Sequence, residues 1–170
     1  MTKTSSSLIR VASSLFFLSG FAALIYEVIW FKRFTHVWGS STLSQMVVVT
    51  TFLFGLALGA YVLGKIADRV RSPLAWYSVC EMAIGLLALA VPYEIQLLRG
   101  YASSIYSALQ DYPSLQFMVR FGLTALVIGP PCVLMGGTLP LLMKHFLIVQ
   151  PWNRETTGWL YAVNTLGAAF

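Results

Sequence analysis

Charge is too scarce in this chain to cover a water-facing surface. Charged residues make up 10% of its 170 residues and hydrophobic residues 58%, whereas soluble domains carry about 25% charged and about 45–50% apolar residues. The surplus apolar side chains need a solvent other than water. Cysteine is equally sparse. Cys80 and Cys132 both lie inside apolar runs, where a thiol behaves as a small hydrophobe. No CxxC spacing and no pairing pattern exists, so the sequence offers no metal site, redox motif or disulfide framework. Acidic residues number six against eleven Lys and Arg. That basic excess does not point to nucleic acid, because binders of nucleic acid cluster their positives on a solvated face. Here the positives stand in ones, twos and threes at the ends of apolar runs, as topology signals and snorkelling side chains do.

Long apolar runs are abundant. A bilayer crossing takes about 20 apolar residues, and the chain contains four such stretches and the start of a fifth. The first is 11–31. It is too long for the roughly 7–15-residue apolar region of a cleaved signal peptide, so it is a retained span. Trp30, Trp38, Lys32 and Arg33 sit at its exit, as an interfacial belt should. The second is about 43–63 and ends in the charged turn Gly64-Lys65-Ile66-Ala67-Asp68-Arg69-Val70-Arg71. Pro73 opens the third, 74–93, in keeping with the tolerance of proline in a first helical turn. The fourth, 117–146, is interrupted by Pro130-Pro131, Gly136-Gly137 and Pro140. The fifth starts near 158 and is still apolar at Phe170. Its length as helix is about 20 Å, short of a hydrocarbon core about 30 Å thick, so the sequence predicts a fragment cut within its fifth span. The expected fold class is all-α, a polytopic transmembrane helix bundle forming one domain.

Loop charge predicts orientation. Lys3, Arg10, Lys65, Arg69, Arg71, Lys144 and Arg154 fall on one side, and Lys32, Arg33, Arg99 and Arg120 on the other. The more basic side is cytoplasmic by the positive-inside rule, which puts the N-terminus in the cytoplasm. Between the third and fourth spans, Ile95, Leu98, Ala102, Ile105, Leu109 and Tyr112 recur at steps of three and four. This stripe predicts an amphipathic helix over 95–112. It either lies in the outer interface or packs across the mouth of the bundle.

Charge within a span is costly, about 2.5–3.5 kcal/mol at a helix centre on insertion scales, and so is informative. Glu27 lies one turn from the outer end of the first span, and Glu81 about two turns in from the cytoplasmic end of the third. Being in opposite leaflets, they are not expected to form a carboxylate dyad. Arg120, at the outer end of the fourth span, is the expected partner of Glu27. The pair either staples two helices or marks a proton or cationic-substrate site. For Glu81 the expected partners are Lys65, Arg69 or Arg71, in an interhelical lock. Gly55 and Gly59 form a GxxxG pattern suited to close helix packing. The Pro-Pro and Gly-Gly interruptions of the fourth span either line a midplane site or shape the helix alone.

Three segments carry a resemblance. Leu18-Ser19-Gly20-Phe21-Ala22-Ala23-Leu24-Ile25-Tyr26-Glu27-Val28-Ile29-Trp30 resembles the first membrane helix of bacterial fused spermidine synthases. Phe54-Gly55-Leu56-Ala57-Leu58-Gly59 with Gly64-Lys65-Ile66-Ala67-Asp68-Arg69 is similar to the second helix and loop, and Leu160-Tyr161-Ala162-Val163-Asn164-Thr165-Leu166-Gly167-Ala168 to a further helix. The resemblance implies a transporter-like membrane region preceding a soluble polyamine aminopropyltransferase domain, in a bacterial inner membrane. That domain would use decarboxylated S-adenosylmethionine as co-substrate, and none of it is present here, so this chain alone is not an enzyme. The Gly64–Arg71 turn also resembles the loop between helices two and three of major facilitator transporters, which implies a gating role for Asp68 and Arg69. Arg71-Ser72-Pro73 departs from that motif. Glu27, Glu81, Arg120 and Asn164 are the candidate substrate or proton residues. Three readings follow: the membrane domain of a fused synthase, half of a transporter for a small cationic or other solute, and a scaffold binding partner helices through Gly55 and Gly59.

Overall fold

The apolar runs form helices, and the breaks between them are made by residues suited to turning. In a computed structural model of the chain, residues 3–149 and 154–169 are described, with side chains described over 10–148 and 158–169. The side chains of Lys3 and Arg154 in the loop-charge comparison fall outside the described residues, as do residues 150–153 of the last loop and Phe170. The elements are α1 (Lys3–Trp38), α2 (Thr42–Ala67), α3 (Pro73–Ala108), α4 (Pro113–Val149) and α5 (Arg154–Ala169). Among the described residues there is no strand. The segments Arg10–Trp38, Thr42–Ala67, Pro73–Ala108 and Pro113–Ile148 are long and apolar enough to cross a bilayer.

Gly39, at φ 84°, takes the left-handed conformation that ends α1, a position where glycine has no Cβ penalty. Ser41 then caps α2, its hydroxyl oxygen accepting from the Ser44 N–H at 3.3 Å, which satisfies one of the unpaired donors of a helix start. Pro73 opens α3.

Two expectations about helix limits are corrected. The stripe over 95–112 is no separate helix: α3 runs unbroken through Pro92 for 36 residues, about 54 Å at 1.5 Å per residue. Its buried positions Ile95 and Ala102, with Leu98 packed alongside, join the same core cluster as Trp30 and Phe34 of α1. Those three positions are periodic because they face other helices, whereas Leu109 and Tyr112 lie past the end of α3 and Tyr112 is exposed. Likewise α4 continues through Pro130, Pro131 and Pro140 for 37 residues and is not a broken helix. Each proline removes one backbone donor, a loss that membrane helices tolerate when neighbours support the backbone.

The helices α1 and α3 run in the same direction, with Phe16 against Tyr77 and Ser19 against Glu81. α2 and α4 also run together, Ser44 meeting Arg120 at one end and Gly64 meeting Pro140 at the other. α4 packs against both α2 and α3, and α5 packs on α1. One core cluster, containing Trp30, Phe34, Trp38, Val48, Phe52, Ile128 and Cys132, fills the end where α1 finishes. A second, containing Phe16, Leu63, Tyr77, Leu141, Leu142, Phe146 and Leu160, fills the opposite end.

Candidate functional site

Between those two clusters the packing opens. A cavity of about 230 Å³ is lined by Ser19, Gly20, Ala23, Leu24 and Glu27 of α1, Phe52, Leu53 and Leu56 of α2, Met135 and Thr138 of α4, and Asn164 and Ala168 of α5. Ligand sites for drug-sized molecules occupy about 300–1,000 Å³, so this space suits a smaller solute. Ser19, Ala23 and Glu27 share one face of α1 by their spacing of four. Small residues let the other helices close around that face. A Cβ on Gly20 would fall 2.3 Å from the Asn164 carbonyl oxygen, and one on Gly167 would fall 2.1 Å from the Phe17 carbonyl oxygen. These approaches hold α5 against α1 and bring Asn164 to the Glu27 cavity.

The hydroxyls on the wall have committed their protons. Ser19 Oγ donates to Glu81 Oε1 at 2.8 Å, and Thr138 Oγ1 donates to the Met135 carbonyl at 2.8 Å. A hydroxyl has one donor and two acceptor lone pairs. Ser19 and Thr138 therefore offer lone pairs to anything in the cavity. The Glu27 carboxylate adds acceptors when ionised. The site is rich in acceptors and suits a solute that brings N–H or O–H donors and positive charge.

The expected Glu27–Arg120 pair is absent. Arg120 is 4% exposed and belongs to a cluster at the end of the bundle. Its Nη1 donates to Ser44 Oγ at 3.3 Å, and its guanidinium lies 4.4 Å from the Tyr106 ring centroid and 6.0 Å from that of Trp38. Trp38 Nε1 donates to Thr124 Oγ1 at 3.0 Å, and Ser44 Oγ donates to the Trp38 carbonyl at 3.0 Å. The cluster thus ties α1, α2, α3 and α4 together. Glu27 shares its cavity with Met135 and Thr138, about four or five turns further along α4 than Arg120. Register, not chemistry, keeps the two charges apart.

The expected lock from Glu81 to Lys65, Arg69 or Arg71 is also absent. Lys65 lies over the Tyr61 ring, 4.0 Å from its centroid, and Glu81 accepts a hydrogen bond from the Ser19 hydroxyl instead. Tyr77, one turn earlier on α3, lies beside the same carboxylate. The Gly64–Arg71 turn does reach another helix through Asp68, which pairs with Lys144 of α4 at 2.9 Å. Arg69 makes no side-chain hydrogen bond or ion pair among the described residues. Gly55 and Gly59 face α4 within the chain. A Cβ there would lie 2.5 Å from Cys132 Cβ and 1.9 Å from the Val133 carbonyl oxygen. Gly136 and Gly137 answer from α4, with Cβ positions 2.0 Å from the Leu56 carbonyl oxygen and 1.9 Å from Leu63 Cδ1. The glycine pairs of both helices serve one seam, so Gly55 and Gly59 are not open to a partner helix.

No family model, curated protein or solved structure matches this chain. The cavity itself must carry the argument about function. Of the sequence candidates, it unites Glu27 and Asn164, and it leaves Glu81 one hydrogen bond away behind Ser19. Ser19 and Thr138 were missed. Ser19 had one usable signal, a polar residue two turns before Glu27 on the same helical face; Thr138 had none.

Proposed function

We propose that this bundle is a transporter-like membrane domain that takes a small cationic solute at Glu27. The observation that carries the reading is the acceptor-rich wall. One carboxylate and two hydroxyls with committed protons face a cavity halfway along a bundle of apolar helices. Midplane sites between helices are the usual place for a transporter's substrate. A carboxylate is kept in such a setting at a cost that function repays. Around Glu27, the Asn164 amide and the Ser19 and Thr138 oxygens supply orientation, and Phe52, Leu53 and Leu56 supply the apolar wall that an alkyl chain would contact. The Asp68–Lys144 pair supports a latch at the end where α2 and α4 finish.

The resemblance of three segments favours the membrane region of a fused spermidine synthase-like protein, with alkyl amines as the solute class and a soluble synthase domain as its partner. The N-terminus is then cytoplasmic and the membrane a bacterial inner membrane. The second reading, half of a major-facilitator-like transporter, rests on the Asp68 contact and needs no synthase domain.

The test is uptake of a labelled alkyl diamine into vesicles reconstituted with the full chain. Glu27→Gln removes the charge and keeps the shape, so uptake is expected to fall about tenfold or more, the equivalent of losing one charge-assisted contact. Unchanged uptake at equal protein content removes Glu27 from the site.

A further inference from the structure

A second pocket, of about 190 Å³, lies between α1 and α3 away from the Glu27 cavity and is lined by Arg33, His36, Ile95, Gln96 and Arg99. No acid lines it. Neither Arg33 nor Arg99 has a carboxylate partner among the described residues, and each guanidinium offers a planar fork of N–H donors. The imidazole and the Gln96 amide add further N–H donors. The pocket is therefore the donor-rich counterpart of the acceptor-rich cavity, and its chemistry selects an anion with several oxygens. Two guanidiniums converging on one space match a phosphate, which they bind in bidentate fashion.

Its apolar surroundings point to the source of the phosphate. Arg33 and Gln96 closely follow the apolar stretches 11–31 and 74–93 in the sequence, where charged and polar side chains commonly meet headgroups. Below the pocket, Ile25 and Ile29 precede Arg33 at steps of four on α1, and Leu89 and Tyr93 precede Gln96 on α3. All four are exposed and line the way into the hydrocarbon. We propose that this pocket holds the phosphate of an anionic phospholipid whose acyl chains lie along Ile25, Ile29, Leu89 and Tyr93. Basic pockets between membrane helices bind headgroups in this way.

Native mass spectrometry of the full chain in neutral detergent reads the binding directly, with phosphatidylglycerol, a diacylglycerol of the same chains, and glycerol phosphate as probes. Phosphatidylglycerol is expected to bind about tenfold or more tightly than diacylglycerol, and the double variant R33Q/R99Q to lose that preference. Both arginines are exposed, so the variant keeps its fold, and an unchanged unfolding temperature without lipid checks this. Equal binding of phosphatidylglycerol by the wild type and the double variant overturns the proposal, as does equal binding of diacylglycerol and phosphatidylglycerol by the wild type. Glycerol phosphate bound as tightly as the lipid overturns the lipid as the source.

Discussion

The α2–α4 seam and the α1 side of the cavity are built from the same kinds of residue to opposite effect. Along the seam, Gly59 and Gly136 bring two backbones into contact, Gly55 and Gly137 receive the side chains of Cys132 and Leu63, and no room is left for a side chain on any of the four. Around the cavity, Gly20 and Gly167 bring α5 against α1, but Ser19, Ala23 and Glu27 on the neighbouring face border an open space between the helices. Without a hydrophobic effect between helices in lipid, close packing is what holds a membrane bundle. The seam supplies that packing. The cavity wall spends it, and a charged group is placed where packing is given up. The difference separates small residues that close a seam from those that border a cavity more surely than their spacing does.

The largest expected effect tests the seam. Gly59→Ala sets a Cβ 1.9 Å from a backbone oxygen that has no way to move aside. Overpacking of this kind costs about 1–3 kcal/mol and sometimes more, so thermal unfolding in detergent should show a loss near the top of that range. Gly85→Ala is the matched control: nothing lies within 4 Å of its Cβ position, and stability should stay within about 1 kcal/mol of wild type. Alanine's higher helix propensity acts in the stabilising direction at both positions, so similar losses at both would mean that contact across the seam does not set the cost.

A smaller effect is expected at the end of the seam. Asp68 is 73% exposed and Lys144 31%, and exposed ion pairs contribute about 0–1 kcal/mol. Asp68→Asn should therefore lower stability by less than about 1 kcal/mol in the same unfolding assay, with the loss shrinking as salt is raised. A loss as large as that of Gly59→Ala would make the latch, and not the glycines, the support of the seam.

Helix content and the number of long apolar helices were readable from the sequence, because a run of about 20 apolar residues admits few other structures. The limits of the helices were not. Ile95, Leu98 and Ala102 look amphipathic because they pack on α1, and periodicity alone does not say whether the partner of a stripe is lipid surface or protein. Counting inward from the ends of the apolar runs sets Arg120 at the depth of Glu27. That count fixes depth only if each helix ends at the membrane edge, and α3 and α4 extend past it. Glu27 and Asn164 were visible as polar residues in apolar runs. Thr138 was not, since hydroxyl residues in membrane helices commonly bond their own backbone, as Thr138 does.

The central claim is that Glu27 faces a site for a small cation while Arg120 belongs to the architecture. Calorimetric titration of a short alkyl diamine into the purified full chain, wild type against Glu27→Gln, tests it most directly. The account predicts saturable binding by the wild type that weakens about tenfold or more in the variant, with both unfolding at the same temperature in the absence of amine. Equal affinity in the two proteins would contradict it.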